Sequence, residues 1–122
     1  MPRNESRDPA YLWDMLDAAS AISTFVAGRT FHDFQTDRML RNAVERNMEI
    51  IGEAANRVSE NFQKAHPEIP WRNIVGQRNI LIHEYGEVKN ERIWVVAKER
   101  IPELVALLRP LLPQSVMKDD KP

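Results

Sequence analysis

The eight residues from Arg78 to Tyr85 place four polar or ionisable side chains within about two helical turns. Arg78 carries a permanent positive charge and can hold a phosphate through two parallel hydrogen bonds. Asn79 supplies an amide, and the imidazole of His83 can accept or donate a proton. Tyr85 supplies a ring that can stack on a base and a hydroxyl that can be modified. Together these residue types suggest phosphodiester chemistry.

A helical conformation of this segment would place Asn79 and His83 on one face as an i, i+4 pair. Arg78 and Tyr85 are seven residues apart and would share a neighbouring face, so we expect all four side chains to line one groove. Cleaving RNA without a metal requires a base for the 2′-hydroxyl, an acid for the leaving 5′-oxygen and positive charge near the phosphorane. One copy supplies only one such histidine, which cannot easily be both acid and base. The chemistry therefore predicts a homodimer whose site lies at the two-fold interface.

The composition is that of an ordinary globular protein. The 122 residues suffice for one domain with a real core, and 43% hydrophobic and 29% charged residues are usual proportions. The absence of cysteine excludes disulfides, cysteine-based zinc sites and thiol nucleophiles. We find neither a membrane-spanning run nor a signal peptide, and expect a cytoplasmic protein. The net charge of −1 provides no basic field for nucleic acid, which counts mildly against such a function.

Helical spacing recurs along the chain, whereas strand-like alternation is hard to find. Asp8 and Pro9 predict an N-cap and first turn of a helix that ends near Gly28. Its apolar face comprises Leu12, Met15, Leu16, Ala19, Ile22 and Val26. After a turn at residues 30–33, a longer helix continues until just before His66. Its apolar residues alternate spacings of four and three, as in helices packed nearly antiparallel, and are Val44, Met48, Ile51, Ala55, Val58 and Phe62.

Two further helices are predicted in the second half of the chain. Pro70 suits the start of a short helix that carries the Arg78–Tyr85 segment and ends near Gly86. A last helix begins near Asn90, and Pro102 within it predicts a kink or local break.

These elements predict one all-α domain at residues 1–113. We expect an up-and-down bundle of four to five helices, because each helix has one apolar face that must be covered by another. Residues 114–122 are polar and are predicted to form a flexible tail.

The Arg-x4-His-x-Tyr pattern at Arg78, His83 and Tyr85 resembles the signature of the HEPN superfamily, in the form seen in HepT-like (DUF86) toxins. Asn79, directly after the arginine, is also a usual occupant of its position. Three other stretches are similar to that family, namely residues 46–54, 69–71 and 76–79. With the placement of a tryptophan and a proline in the last helix, the resemblance spans roughly residues 8–112.

The resemblance implies a HEPN-like all-α homodimer with metal-independent endoribonuclease activity and no cofactor. The activity is assigned to Arg78 and His83. The resemblance also implies a type VII-like toxin–antitoxin module, in which a nucleotidyltransferase antitoxin of the MntA type transfers AMP groups to Tyr85. Phosphates added beside the arginine and histidine would occupy the site and repel RNA.

Several residues admit a structural interpretation beside the functional one. An isolated Arg-x4-His pattern arises by chance in many helices, and only the flanking resemblance makes function the preferred interpretation. Tyr85 alone would be interpreted as an amphipathic residue covering the core. A polar stripe opposite the apolar face of the second helix either is a solvated surface or orients Arg78 from the dimer groove. Its candidates for the latter role are Arg46, Glu49 and Glu53, with Glu53 preferred.

Other positions are predicted to be structural. Gly52, with Ala54 and Ala55, is predicted to permit close approach of helices, and the dimer contact is one location for it. His32 and His66 are predicted to be surface residues, and metal binding is not expected, because neither has a carboxylate or a second histidine at metal-ligand spacing. The three tryptophans, Trp13, Trp71 and Trp94, are predicted to anchor the core.

Two functions follow from these observations. In the first, the chain is an RNA-cleaving toxin in which His83 is a general base or acid, Arg78 stabilises phosphate charge, and Asn79 orients the phosphate or His83. Tyr85 is then both a site residue and the target of inhibition. In the second, the chain is a non-catalytic helical adaptor that binds the nucleotidyltransferase or a nucleotide.

Overall fold

Eight α-helical segments build the structure, a computed structural model that describes residues 5–112. They span Asp8–Val26 (α1), Phe31–Thr36 (α2), Arg38–Arg57 (α3), Glu60–Ala65 (α4), Trp71–Gly76 (α5), Arg78–His83 (α6), Gly86–Val95 (α7) and Ile101–Leu108 (α8). Short 3-10 turns occupy Glu5–Arg7 and Arg109–Leu111, and no strand occurs within the described residues. The predicted all-α helical bundle is confirmed. The predicted tail at residues 114–122 lies outside the described residues.

α1 and α3 pack along each other at the centre of the bundle, and α8 packs against α1. The apolar faces predicted for the first two long helices are buried, except at the partly buried Phe62. α8 adds Ile101, Leu104 and Leu108 to the same cluster. Burying a side chain of this size contributes about 1.5–3 kcal/mol relative to leaving it exposed, so this cluster is the main source of stability.

The prediction that Asp8 caps α1 is wrong. Its carboxylate is buried and accepts hydrogen bonds from the backbone N–H of Ser59 at 2.9 Å and from the Ser59 hydroxyl at 2.6 Å. No side-chain hydrogen bond caps the start of α1, although Pro9 lies in its first turn as expected. The carboxylate therefore joins the beginning of α1 to the end of α3, which makes the two helices antiparallel.

The predicted second helix is divided into three parts. Thr30 and Asp33 form a capping box that starts the short helix α2, where a turn was expected, and the Thr30 N–H lowers the pKa of Asp33. Asp37 then caps α3, which ends at Arg57. The Ser59 hydroxyl accepts from the N–H of Phe62 at 3.2 Å and caps α4, so the expectation of one continuous helix is wrong.

The segment that carries the Arg78–Tyr85 pattern is also shorter than predicted. α6 ends at His83, and residues 84 and 85 are extended. Gly86 has a φ of 55°, a conformation that favours glycine, and opens α7 four residues before the predicted start at Asn90. The pattern is therefore six helical residues followed by an extended pair, and Gly86 permits the chain to turn into a new helix.

The local break predicted at Pro102 is a π-helical turn at Val96–Arg100, between α7 and α8. Proline lacks an N–H and its ring clashes with the carbonyl four residues earlier, so wider backbone pairing before it relieves the conflict. Lys98 in this turn donates to the Val26 carbonyl oxygen at 3.3 Å and lies 5.4 Å from the Trp94 ring centroid. The break thereby ties the last helices to the end of α1.

The tryptophans contribute to the core as predicted. Trp71 is buried, and its indole N–H donates to the His66 carbonyl oxygen at 3.0 Å. Trp13 and Trp94 are partly buried and pack against the core cluster. No helix within residues 5–112 is long and apolar enough to cross a membrane.

The two histidines outside the Arg78–Tyr85 pattern differ in environment. His32 is exposed, as predicted. His66 is half-buried, with its ring centroid 4.3 Å from that of Phe62 and its Nδ1 3.1 Å from the Glu68 carboxylate. The backbone N–H of Glu68, followed by His66, lowers the pKa of that carboxyl group. The prediction that His66 is a simple surface residue is therefore wrong.

Candidate active site

Arg78 begins α6 and lies directly over Gly52 of α3. A Cβ atom added at Gly52 would be 3.6 Å from Cγ of Arg78 and 3.7 Å from the carbonyl oxygen of Ile74. Because the residue at this position is small, α3 lies close to the α5–α6 segment and the stem of Arg78 lies across it. The predicted close approach at Gly52 is confirmed, and it occurs within one chain.

A cavity of about 230 Å³ lies beside Arg78. Its lining consists of Glu45, Glu49, Glu53, Arg78, Leu81 and Ile82. The three glutamates are spaced by four on α3, so they share one face of that helix and project towards α6. Glu49 and Glu53 are therefore near Arg78, as their functional interpretation requires, whereas Arg46 is not part of the lining.

Glu45 borders the cavity, although the sequence patterns do not single it out. The polar stripe predicted from the sequence includes Arg46 and Glu49, whereas Glu45 lies one residue before Arg46 and is half-buried. The signal that points to it is the regular spacing of four between Glu45, Glu49 and Glu53. That spacing places Glu45 in line with Glu49 and Glu53 on one side of α3.

Most cations near the site are already paired with a glutamate. Lys89 Nζ is 3.0 Å from the Glu45 carboxylate, and an Arg46 nitrogen is 3.4 Å from that of Glu49. A third pair joins Arg92 to Glu84 at 3.2 Å. No described carboxylate lies within 4.0 Å of the Arg78 guanidinium, so this cation is available to bind an anion.

Asn79 and His83 lie four residues apart in α6 and are both exposed, in agreement with the predicted pairing on one face. Neither side chain hydrogen-bonds to another residue within 5–112. Asn79 is about 100° around the helix from Arg78, so the pair points outward while Arg78 borders the cavity. A single copy therefore does not gather the three side chains around one point.

Tyr85 lies outside α6, in extended backbone with φ −132° and ψ 157°. The prediction that it shares a helical face with Arg78 is wrong, because the helix ends two residues earlier. Its side chain is 83% exposed. It neither stacks on the core nor covers it, so the structural interpretation of Tyr85 as a core-covering residue is also wrong.

Exposed apolar side chains cluster in sequence around the site. Ile82, Tyr85 and Val88 are 61%, 83% and 53% exposed, and they fall within seven consecutive residues. Large apolar side chains so exposed beside a polar site are typical of a contact surface.

A larger cavity of about 740 Å³ lies on the other side of α6, towards α8. Ile51, Ile80 and Leu104 are among its lining residues, but Arg78, Asn79, His83 and Tyr85 are not. Its size alone does not make it the reaction site, because chemistry requires the ionisable groups. Within residues 5–112, no three histidine, aspartate or glutamate side chains are grouped so that they could hold a metal ion.

Comparison with protein-family models matches residues 15–111 to the family described as "Ribonuclease HepT-like". The chain belongs to this family. The resemblance inferred from the Arg78–Tyr85 pattern is thereby confirmed, and the helical bundle is HEPN-like.

Several HepT-like relatives cover most of the chain. "Probable ribonuclease HepT" of Thermococcus cleftensis is 42% identical over 94 residues, covering 77% of this chain and 86% of the relative. "Putative RNase MJ1380" of Methanocaldococcus jannaschii is 37% identical over 95 residues, covering 78% and 87%. "Putative RNase TTE0752" of Caldanaerobacter subterraneus is 37% identical over 102 residues, covering 84% and 91%. No solved structure matches the chain significantly. The family and these names support a ribonuclease.

Proposed function

We propose that this protein is a metal-independent endoribonuclease in which two copies act together on one phosphodiester. Its membership of the HepT-like family and the names of its relatives support ribonuclease activity. The observation that carries the proposal is the arrangement of α6. Arg78 has no ion-pair partner among the described residues, while Asn79 and His83 are exposed on the adjacent face.

The reaction uses RNA's own 2′-hydroxyl as the nucleophile. His83 of one copy removes the 2′-hydroxyl proton, and the oxygen attacks phosphorus to form a 2′,3′-cyclic phosphate. His83 of the partner copy donates a proton to the 5′-oxygen as its bond to phosphorus breaks. Arg78 neutralises the charge that develops on the phosphorane, and Asn79 orients the phosphate or the histidine.

The homodimer in this proposal forms through the α6–α7 region. Its exposed apolar residues Ile82, Tyr85 and Val88 are costly to leave in water, and burying them against a second copy would bring both α6 helices together. A two-fold contact uses the same patch on each copy, so one patch is sufficient.

Among the acidic residues of the cavity, Glu53 orients Arg78 in this proposal. It borders the same cavity and, unlike Glu45 and Glu49, has no cation within 4.0 Å among the described residues. Glu49 and Arg46, which pair with each other, contribute only indirectly.

Regulation is proposed to act on Tyr85, by a nucleotidyltransferase antitoxin of the MntA type in a cytoplasmic toxin–antitoxin module. The exposed hydroxyl attacks the α-phosphate of ATP, so that a tyrosyl–AMP ester forms, pyrophosphate leaves and the phenolic proton is released. The added phosphate competes with RNA for Arg78. Mass spectrometry after co-expression should find AMP on wild-type protein and on a Tyr11→Phe control but not on Tyr85→Phe.

The decisive experiment measures cleavage of RNA by purified protein in the presence of a metal chelator. His83→Ala should lower the rate by about 10²-fold or more, whereas His32→Ala, which removes an exposed histidine outside the Arg78–Tyr85 pattern, should not. Wild-type products should carry 2′,3′-cyclic phosphate ends. Unchanged cleavage by His83→Ala would contradict the assignment.

The alternative, a non-catalytic adaptor for the nucleotidyltransferase or a nucleotide, is favoured by one observation. Three glutamates border the cavity beside Arg78, an unusual environment for a polyanionic substrate. Purified protein that cleaves no RNA, but binds that partner or a nucleotide equally well as wild type and as His83→Ala, would support the adaptor.

A further inference from the structure

The cavity beside Arg78 carries an excess of negative charge in its own lining. Glu45, Glu49 and Glu53 face a single cation, Arg78. A phosphate that approaches Arg78 would be repelled by carboxylates within the same small space. Arg78 can therefore serve an anionic substrate only if charges from outside the lining neutralise the excess.

Two cations outside the lining provide this neutralisation. Lys89 and Arg46 hold Glu45 and Glu49, respectively, at 3.0 and 3.4 Å. The Lys89–Glu45 side chains are only 21% and 23% exposed, against 62% and 49% for Arg46–Glu49. The Lys89–Glu45 pair is therefore less screened by solvent and exerts the stronger influence.

Lys89 comes from the chain segment that directly follows the site residues. Its backbone N–H donates to the carbonyl oxygen of Tyr85 at 3.2 Å, in the first turn of α7. Its side chain crosses to α3, where Glu45 is located. The turn at Gly86 therefore brings the Lys89 ammonium group to Glu45, which borders the cavity.

We infer that Lys89 is a positioning residue that holds Glu45 away from Arg78 and so keeps the Arg78 guanidinium available to a phosphate. The inference rests on the proposed function in one respect, that the phosphate belongs to RNA. Without Lys89, the Glu45 carboxylate is left in the same cavity as Arg78, where carboxylate and guanidinium pair readily. A purely structural bridge between α3 and α7 would behave differently, because removing either partner would then be equally harmful.

Three variants separate these two roles, namely Lys89→Met, Glu45→Gln and the double variant. Binding of a non-cleavable 2′-O-methyl RNA oligonucleotide is measured by fluorescence anisotropy, and KM and kcat are measured with cleavable RNA. Lys89→Met should raise Kd and KM about fivefold with little change in kcat, the size expected for one partly exposed charge. Glu45→Gln alone should bind as tightly as wild type or more tightly, and the double variant should recover to within about twofold.

The matched control is Arg92→Met. It removes one cation from α7 and breaks the Arg92–Glu84 pair, but Glu84 does not border the cavity. Its Kd should stay within about twofold of the wild-type value, which shows that net charge alone is not responsible. The Arg78 Nε–H signal in NMR spectra provides a second readout, and it should shift in Lys89→Met and return in the double variant.

Two results would overturn the inference. One is a double variant that binds no better than Lys89→Met. The other is weaker RNA binding by Glu45→Gln than by wild type. This result contradicts the inference even if Lys89→Met does not fold. Because oligonucleotide binding and the Arg78 signal need no cleavage, a wild-type protein that binds RNA without cutting it would refute the proposed nuclease and leave the role of Lys89 testable.

Discussion

The position of Arg78 depends on the residue beneath it. Gly52 has no side chain, and the stem of Arg78 occupies the space where one would project. A methyl group fits, because the nearest atoms would be at ordinary contact distances of 3.6 and 3.7 Å. Anything larger has to displace the arginine or the backbone of α5.

We therefore expect Gly52→Val to lower RNA cleavage by about tenfold while the protein stays folded, since a misplacement of about 1 Å already weakens catalysis strongly. Gly52→Ala is the control, and it should retain activity and gain up to about 1 kcal/mol in helix stability. Initial rates and circular dichroism would measure both effects. Wild-type activity in Gly52→Val would show that the stem of Arg78 does not need this surface.

The two central helices are joined at their ends by a buried carboxylate. Asp8 in α1 binds both the N–H and the hydroxyl of Ser59, 51 residues away. The same hydroxyl caps α4 through Phe62. One hydrogen-bonded group thus sets where α3 ends, where α4 begins and how α1 packs against them.

Asp8→Ala should destabilise the fold by about 3 kcal/mol, because it leaves two buried donors of Ser59 without their charged acceptor. A drop of this size corresponds to a fall in Tm of roughly 10 °C. Asp17→Ala, an exposed position on α1, should change stability by less than about 0.5 kcal/mol. Equal melting temperatures for the two variants would contradict the role of the buried pair.

The whole molecule leaves its site residues on an exposed surface. Arg78 borders an acidic cavity on one side of α6, and His83 points outward from it. Ile82 and Tyr85 are exposed next to them. A second copy would bury the apolar residues and complete the set of ionisable groups in a single step.

Ile82→Glu should therefore convert a dimer into a monomer. At a two-fold contact the new glutamate of one copy would be buried near the same glutamate of the other copy, and the two negative charges repel. RNA cleavage should fall together with the dimer fraction. Met39→Glu places the same charge at another exposed apolar residue, at the start of α3, and should leave the dimer intact. Light scattering after size exclusion gives the mass, and an Ile82→Glu variant that remains dimeric would place the contact elsewhere.

Much of the fold is predictable from the sequence, because the spacing of apolar residues along a helix indicates which face of that helix is buried. The faces of α1 and α3 were predicted almost residue by residue, as was the break near Pro102. The errors fall at helix ends, where local patterns compete with distant partners. Asp8 resembles a cap in sequence, but Ser59, which lies between α3 and α4, binds its carboxylate instead.

The candidate site also has features that the sequence predicts and others that only the structure shows. The residues proposed to carry the chemistry, Arg78, Asn79 and His83, were identified from their types and spacing, together with the family to which the chain belongs. Glu45 was not, because its importance depends on which cation reaches it from α7. Tyr85 was predicted to be helical, but the chain leaves the helical conformation at Glu84, before the turn at Gly86.

By itself, the sequence determined the all-α class, the core faces and the inventory of reactive groups, since periodicity and residue type are local properties. Only the tertiary structure decided the surroundings of those groups. In the folded chain, Arg78 lies over Gly52, three glutamates border the cavity beside Arg78, and one of these glutamates pairs with Lys89. Charge at a site depends on distances through space between helices, and the spacing along one helix does not contain that information.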